Sequence, residues 1–319
     1  MNIENFSLIL KGSDGKQLPV LDHVNLSVKP GECLGIAGES GSGKTVLALS
    51  IMGLIPAASV FSRSGGISFR DQDLVNLAEE KLRKIRGTGI SMVFQEPMSA
   101  MNPLLTLYEQ IAETVRAHLS NLSEKEVGNK VDSALRRAGF DEPWKILRAY
   151  PHQLSGGMRQ RAMLAMAIVL EPPLIIADEP TTALDAALQV QLLAEFRIAV
   201  KEKGHSLLFI SHDLGVIRTL ADHLAVLYSG SLIEYGPAGA VLSSPAHPYT
   251  FALVSSLPRL IKEKKLPHTI PGHLPSPDCR PTGCVFSDRC IRVRENCRKE
   301  IPGKTKISSD REVRCFYPL

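Results

Sequence analysis

The 319-residue sequence lacks any long apolar run. Its longest is AMLAMAIVL at residues 162–170, well short of the roughly 18 residues that a membrane-crossing helix needs. The first ten residues, MNIENFSLIL, contain neither the basic segment nor the small-residue cleavage site of a secretory signal. These absences predict a protein that stays in the cytosol and that meets a membrane only peripherally.

Internal repeats, low-complexity tracts and sustained heptads are also missing. With 44% hydrophobic and 22% charged residues, the composition is that of a globular chain with a core. The length suits one large domain with an appendage. We therefore expect a main domain at residues 1–258, with a helical insert at about 98–165, and a C-terminal extension at residues 259–319 that follows a Pro/Gly-rich linker.

Charge and cysteine are distributed unevenly. Residues 259–319 hold 14 Lys/Arg against 7 Asp/Glu, a balance of +7, whereas the whole chain carries +4. A solvated surface is the default interpretation of such an extension, and an anionic membrane face or nucleic acid are the alternatives. Five of the six cysteines lie in the same region. Because a reducing cytosol disfavours disulfides, this cluster indicates a metal site.

Four of these cysteines follow the spacing Cys284-x5-Cys290-x6-Cys297-x17-Cys315. This is not the paired C-x-x-C of a zinc ribbon. Thiolate-rich sites bind Zn²⁺ or iron–sulfur clusters, so the spacing alone leaves the metal open.

Predicted strands and helices alternate along the main domain. Strands are predicted at 20–28, 33–38, 89–94, 173–180 and 206–213, and helices at 45–55, 107–119, 124–140, 159–170 and 186–204. Alternation of this kind predicts an α/β fold with a mainly parallel sheet and helices on both of its faces.

A glycine-rich loop, GESGSGKT, joins one of these strands to a helix and fits the pattern G-x-x-x-x-G-K-[ST]. Backbone N–H groups of such a loop surround phosphate oxygens, and the helix N-terminus adds its positive dipole end. Lys44 would reach the β- and γ-phosphates, and the Thr45 hydroxyl would ligate Mg²⁺. The residues predicted to hold the nucleotide are Gly38, Glu39, Ser40, Gly41, Ser42, Gly43, Lys44 and Thr45.

Two acidic residues close the apolar strand LIIADEP. Asp178 stands at the strand end, where Mg²⁺ or its water shell would lie, and Glu179 would act as general base on an attacking water. A second glycine loop, LSGGMRQR at residues 154–161, precedes a helix and offers further backbone N–H groups to an anion. Taken alone, this second loop would be an ordinary helix cap.

The order of six motifs resembles that of the nucleotide-binding subunits of ABC transporters. The motifs are GESGSGKT, FQEP (94–97), LSGGMRQR, LIIADEP, ALD (183–185) and SHD (211–213). The resemblance covers most of residues 1–258 and implies a P-loop NTPase core, ATP and Mg²⁺ as cofactors, and ATPase activity.

In that family two subunits pack head to tail around ATP. The resemblance implies that Ser155, Gly156 and Gly157 contact ATP on the partner chain, and that Asp185 lies at the dimer interface. ATP binding would close the dimer and hydrolysis would reopen it, which drives the membrane partners.

The resemblance also assigns two residues near the γ-phosphate. Gln95 would sense Mg²⁺ and the attacking water, and His212 would contact the γ-phosphate. One feature departs from the family, which usually places an aromatic residue in the first strand to stack on adenine. Ile9 or Leu10 stands there instead.

Longer stretches resemble the peptide and nickel importer branch of the family. They are FQEPMSAMNPLLTL, HQLSGGMRQR, HPYTFALVSSLP (247–258) and GCVFSDRC (283–290). The branch implies an ATPase on the cytoplasmic face of the bacterial inner membrane, with a second ABC ATPase subunit (a paralogue), two transmembrane permease subunits and an extracytoplasmic substrate-binding protein. Dipeptides or oligopeptides are the first choice of cargo, and nickel or another small solute is the alternative.

The same branch carries a [4Fe–4S] cluster in its C-terminal extension. The resemblance therefore favours this cluster on Cys284, Cys290, Cys297 and Cys315, with Zn²⁺ as the alternative and Cys279 as a spare cysteine.

Two other functions are alternatives to transport. A soluble ABC protein acting on ribosomes or DNA typically carries two cassettes or a long coiled-coil insertion, whereas this sequence has one P-loop and no heptad run, so nucleic acid is not expected as a partner. A regulatory subunit that binds ATP without hydrolysing it is disfavoured because Lys44, Asp178, Glu179 and His212 are all present.

Overall fold

The computed structural model describes residues 1–182, 184–256 and 270–319, with only the backbone described at 201–203. The chain forms two compact units. The first unit comprises Met1–Val28, Cys33–Asn76 and Ile210–Leu319, and the second comprises Lys29–Glu32 and Leu77–Phe209. The predicted boundary between residues 258 and 259 lies outside the described residues, as does Ala183 of the ALD motif.

The strands and helices are named in chain order. The strands are β1 (Asn2–Lys11), β2 (Gln17–Ser27), β3 (Cys33–Ala37), β4 (Val60–Phe69), β5 (Gln72–Asp73), β6 (Ile90–Val93), β7 (Leu174–Asp178), β8 (Ser206–Ile210), β9 (His223–Tyr228), β10 (Ser231–Pro237), β11 (Thr305–Ser308) and β12 (Arg311–Val313). The helices are α1 (Lys44–Ile51), α2 (Glu79–Ile85), α3 (Pro97–Ala100), α4 (Leu107–His118), α5 (Glu124–Arg137), α6 (Gly156–Ile168), α7 (Ala186–Lys203), α8 (Leu214–Leu220), α9 (Ala238–Ser243), α10 (Pro248–Ser255) and α11 (Glu295–Lys299).

The first unit contains two groups of paired strands. One is antiparallel, in the order β2-β1-β4-β5. The other has the order β11-β12-β10-β9-β3, in which β3 and β9 are parallel and the remaining pairs are antiparallel. Because β12 pairs with β10, the C-terminal extension continues the sheet that contains β3.

The second unit combines the strands β8-β7-β6 with helices α2 to α7. β6 and β7 run parallel, which places their carboxyl ends side by side. The helices α4 and α5 each begin with a capping box, formed by Thr106 with Glu109 and by Ser123 with Glu126. Such caps satisfy N–H groups of the first helical turn and fix where each helix begins.

The sequence predicts a mainly parallel sheet. This prediction is wrong in one respect, because the sheet that contains β3 has antiparallel as well as parallel pairs. β9 and β10 form a hairpin in which Tyr228 pairs with Ser231 across a two-residue turn. The turn residues Ser229 and Gly230 have φ of 44° and 74°, as a tight hairpin turn requires. The antiparallel pairs of this sheet are β9–β10, β10–β12 and β11–β12.

Among the described residues, no helix combines the length and the apolar character that a membrane crossing requires.

Candidate nucleotide-binding site

The predicted phosphate-binding loop lies in the first unit, between β3 and α1. Gly38 and Gly43 have φ of 153° and 101°, a region that other residues rarely adopt. A Cβ atom at Gly38 would lie 2.3 Å from the carbonyl oxygen of Leu227. The path of the loop therefore requires glycine at both positions.

Lys44 begins α1 and lies inside this loop, where it is only 4% exposed. Its Nζ donates hydrogen bonds to the carbonyl oxygens of Gly38 and Glu39, at 2.8 and 2.9 Å. Gly43, the N-cap residue, offers no side chain to the first turn of the helix. Thr45 is exposed on that turn. The loop thus combines a held ammonium group with helix N–H groups that no N-cap side chain satisfies, an arrangement suited to phosphate.

His212 lies two residues beyond the end of β8 and is exposed. The next residue, Asp213, caps α8, where its Oδ1 accepts a hydrogen bond from the backbone N–H of Gly215 at 2.7 Å. His212 is therefore set between a strand end and a capped helix, which restricts its backbone.

In the second unit, Gln95 and Glu179 come together beyond the carboxyl ends of β6 and β7. Val93 of β6 pairs in parallel with Ala177 of β7, so both residues stand two positions beyond the paired residues. Nε2 of Gln95 lies 3.5 Å from Oε2 of Glu179, and the Thr182 hydroxyl donates to the same oxygen at 3.1 Å. The Glu179 carboxylate is thus oriented by two donors.

Asp178 and Asp185, the two aspartates of this unit that the sequence assigns to the site, differ in exposure. Asp178, the last residue of the fully buried β7, is 1% exposed. Asp185 is exposed and caps α7, with Oδ1 accepting from the N–H groups of Ala187 and Leu188 at 3.0 and 2.9 Å. Asp185 therefore has a structural role within its own chain, besides the interface role expected from the family.

The LSGG motif marks the beginning of α6. Oγ of Ser155 accepts a hydrogen bond from the N–H of Met158 at 3.3 Å, which leaves its own hydroxyl proton able to donate. Ser155 and Gly156 are exposed. Gly157 is buried, and a Cβ there would lie 2.5 Å from Cδ1 of Leu188 on α7. Ser155 and Gly156 are therefore open to solvent, whereas Gly157 packs against α7.

The four cysteines predicted as metal ligands line one cavity of about 20 Å³ in the first unit. They are Cys284, Cys290, Cys297 and Cys315. Burial raises the pKa of the Cys284 thiol to about 11, and the neighbouring cysteines act in the same direction. Across the described ranges, however, no three or more His, Cys, Asp or Glu side chains form a group that could hold a metal ion. The fold gathers the four thiols around one cavity without closing them into a ligand shell.

His247 lines the same cavity. Its Nδ1 accepts a hydrogen bond from the N–H of Tyr249 at 3.0 Å, and burial lowers the pKa of the imidazole to about 3. The ring is therefore neutral at pH 7, with its proton on Nε2. That nitrogen is buried without a hydrogen-bond partner in the described structure. A buried N–H donor of this kind is costly unless an acceptor is supplied.

Sequence reasoning missed a contact between the extension and the phosphate-binding loop. Arg289, next to Cys290, forms an ion pair with Glu39 at 3.0 Å. The two residues are 250 positions apart, and no motif links them.

Comparison with known families and proteins agrees with the motifs. The family described as "ABC transporter" matches residues 21–182, and "Oligopeptide/dipeptide transporter, C-terminal region" matches residues 233–297. The oligopeptide transport ATP-binding protein AppD of Bacillus subtilis is 41% identical over 299 residues, which cover 94% of this chain and 91% of that protein. The dipeptide transport ATP-binding protein DppD of Escherichia coli is 38% identical over 321 residues, which cover 100% of this chain and 97% of that protein.

Solved structures give the same result. The dimeric structure of a bacterial ABC transporter cassette matches with a TM-score of 0.67 and 28% identity, over 74% of this chain and 98% of that chain. A post-hydrolysis dimer of that cassette, bound to ADP and Pi, matches equally well. The chain therefore belongs to the ABC transporter family, as an ABC-type ATPase with the oligopeptide/dipeptide transporter C-terminal region.

Proposed function

We propose that this chain binds and hydrolyses ATP as the nucleotide-binding subunit of an importer for dipeptides or oligopeptides. The observation that carries the proposal is the glycine-dependent loop with the Nζ of Lys44 held inside it. The cargo is supported by relatives that are named for oligopeptide and dipeptide transport. Nickel or another small solute is the alternative cargo.

The proposed roles follow the order of the motifs. Gly38, Glu39, Ser40, Gly41, Ser42, Gly43, Lys44 and Thr45 hold the phosphates of ATP. Thr45, Gln95 and Asp178 are the side chains that would hold Mg²⁺, which when bound would neutralise charge on the phosphates. Glu179 takes the proton of the attacking water, and the Nε2 of Gln95 at 3.5 Å helps to orient its carboxylate. His212 contacts the γ-phosphate.

A second ABC ATPase subunit, a paralogue of this chain, completes each ATP site. Ser155, Gly156 and Gly157 present N–H groups and a hydroxyl to the ATP that the partner's loop holds, and Asp185 lies at the interface. The exposure of Ser155 and Gly156 supports this assignment for these two residues, since groups that meet a partner must lie at the surface, whereas Gly157 is buried. A related cassette was solved as a dimer.

The remaining partners are two transmembrane permease subunits, supplied from outside the cell by a substrate-binding protein. The chain would then lie peripherally on the cytoplasmic face of the bacterial inner membrane. The test is uptake by proteoliposomes that contain the chain, its second ATPase subunit and both permeases, with the binding protein added. We expect ATP-dependent uptake of labelled dipeptides or oligopeptides, abolished by Lys44→Ala. Uptake of nickel without uptake of peptides would contradict the peptide assignment.

The proposal also covers domain organisation and the extension. Residues 1–258 form the ATPase domain, with the helical subdomain at about 98–165, and residues 259–319 form an extension that holds a [4Fe–4S] cluster. Its ligands are Cys284, Cys290, Cys297 and Cys315. The four thiolates would hold the cluster, which when bound would stabilise a segment with few apolar residues. The shared cavity and the buried Nε2–H of His247 are consistent with a thiolate-ligated group there.

Metal analysis tests this assignment. Protein purified anaerobically should contain about four iron ions and about four labile sulfide ions per chain. Cys297→Ser should lower both, whereas Cys279→Ser, which changes an exposed cysteine outside the cavity, should not. Stoichiometric zinc without iron is the result that would overturn the cluster.

A further inference from the structure

Arg289 is a buried arginine of the extension; it lies in the stretch GCVFSDRC, and the motifs assign it no role. It ends the turn Ser287–Arg289, and its side chain is only 6% exposed. Its Nη1 lies 3.1 and 3.0 Å from the two carboxylate oxygens of Glu39, and its Nε donates to the carbonyl oxygen of Pro271 at 2.8 Å. Because an unpaired buried charge is costly, these partners hold the guanidinium group in one place. Its charge is directed at Glu39.

Glu39 belongs to the phosphate-binding loop, directly after Gly38. Its carbonyl oxygen accepts a hydrogen bond from Nζ of Lys44 at 2.9 Å, and its N–H donates to the hydroxyl of Tyr249 at 2.9 Å. Its side chain is 29% exposed. One residue thus places a carboxylate in a loop that is built to hold phosphate anions.

An aromatic cluster also connects the extension to the phosphate-binding loop. Tyr228, Tyr249 and Phe286 pack edge to face, with ring centroids 4.6 to 5.4 Å apart. Phe286 belongs to the extension, and Tyr249 supplies the hydroxyl that accepts from the Glu39 N–H. The backbone of Glu39 and its carboxylate are therefore both held by buried side chains.

We propose that Arg289 is a positioning residue for the phosphates of ATP and that it acts through Glu39. A carboxylate near a triphosphate weakens binding unless a cation neutralises it. Arg289 supplies that cation and holds the carboxylate against the extension, while Tyr249 fixes the backbone. The inference rests on the proposed ATPase function, and it makes a residue of the extension part of the ATP-binding apparatus.

The first test compares two arginines of the extension in the full-length chain. Arg298 is 58% exposed and pairs with Asp288 at 3.3 Å, so Arg298→Met removes the same charge without touching the loop. We expect Arg289→Met to raise the Kd and the KM for MgATP by about tenfold, with kcat changed by less than about twofold. Arg298→Met should leave both constants within about twofold of the wild-type values.

The second test repeats Arg289→Met in a Glu39→Gln background. Since the defect comes from the carboxylate left without its cation, the rise in Kd should shrink to less than about twofold there. An arginine needed only for packing would cause the same loss in both backgrounds. If Arg289→Met does not fold, Arg289→Lys takes its place, because lysine keeps the charge but loses the planar set of donors. Its smaller rise in Kd should likewise disappear with Glu39→Gln.

The measurement is the Kd of each variant for MgATP at equilibrium, and thermal unfolding checks that each variant is folded. An unchanged Kd in Arg289→Met, or an equal loss in both backgrounds, overturns the positioning role and leaves the ATPase assignment intact. Failure of the wild-type protein to bind MgATP would overturn the proposed function itself, and this inference with it.

Discussion

Glu179 is the residue on which hydrolysis depends most directly in this proposal. Glu179→Gln keeps the size of the side chain and an oxygen for the Thr182 hydroxyl, but an amide cannot take the proton of the attacking water. We expect kcat to fall by about 100-fold or more, with the Kd for MgATP within about twofold of wild type. Phosphate release and equilibrium nucleotide binding measure the two quantities.

Glu171 provides a matched control. Like Glu179 it has a positive φ, 53° against 47°, and it borders β7 from the other end. Its exposed carboxylate pairs with Arg137 at 2.7 Å. Glu171→Gln should leave kcat within about twofold of wild type. Near-normal hydrolysis by Glu179→Gln would show that another group acts as the base.

The sequence predicts single residues well where a motif encodes both chemistry and backbone geometry. Gly38 and Gly43 could be identified because only glycine fits their φ values. Gln95 could be placed near Glu179 only through the family, since nothing in the sequence shows that β6 and β7 are neighbours. The pair of Glu39 and Arg289 could not be predicted at all, because a contact across 250 residues leaves no local pattern.

Helix α7 allows the two roles of Asp185 to be separated. Asp185→Ala removes the acceptor for the N–H groups of Ala187 and Leu188, and should lower the free energy of unfolding by about 1 kcal/mol. Asp185→Ser keeps an N-cap hydroxyl, so its stability should stay within about 0.5 kcal/mol of wild type. Both variants should impair ATP-dependent association if the carboxylate bridges the subunits. Denaturant unfolding and sedimentation velocity measure the two effects. Normal association of Asp185→Ser would reduce Asp185 to a helix cap.

Several elements with a clear apolar pattern were predicted, but the apolar strand β9 was missed, as were polar elements. α4 and α5 follow their predicted ranges closely because buried apolar residues recur three and four positions apart. β4 was missed, since FSRSGG in its first half is largely exposed and gives no alternation. β11 was missed for the same reason, with all four of its residues exposed. β4 depends on pairing with the distant β1, and β11 depends on pairing with β12 in its own hairpin, so neither needs an alternating pattern of its own.

At the scale of the whole chain, a buried ion pair fastens the extension to the rest of the first unit. Arg311 of β12 donates to Glu234 of β10 at 2.7 Å, and Glu234 also accepts from the N–H groups of Ala246 and His247. Arg311→Met leaves a buried carboxylate without its cation and should lower the free energy of unfolding by about 3 kcal/mol. Chemical denaturation measures this loss.

The pair of Lys304 and Glu312 is the control for that prediction. The pair lies at the β11–β12 hairpin, where Nζ of Lys304 is 2.6 Å from Oε1 of Glu312, but the two side chains are 34% and 28% exposed. Lys304→Met should therefore cost less than about 1 kcal/mol. Equal losses in the two variants would mean that the buried pair does not anchor the extension.

The assembly of two ATPase subunits is tested most directly at Ser155. Ser155→Asp keeps a good N-cap for α6, but it replaces a hydroxyl donor with a carboxylate that would face the γ-phosphate held by the partner. We expect normal thermal stability, loss of ATP-dependent association and a fall in hydrolysis of about 100-fold or more. Ser123→Asp makes the same change at the cap of α5 and should leave association and hydrolysis close to wild type. Full hydrolysis by a monomeric Ser155→Asp protein would contradict an ATP site shared between two subunits.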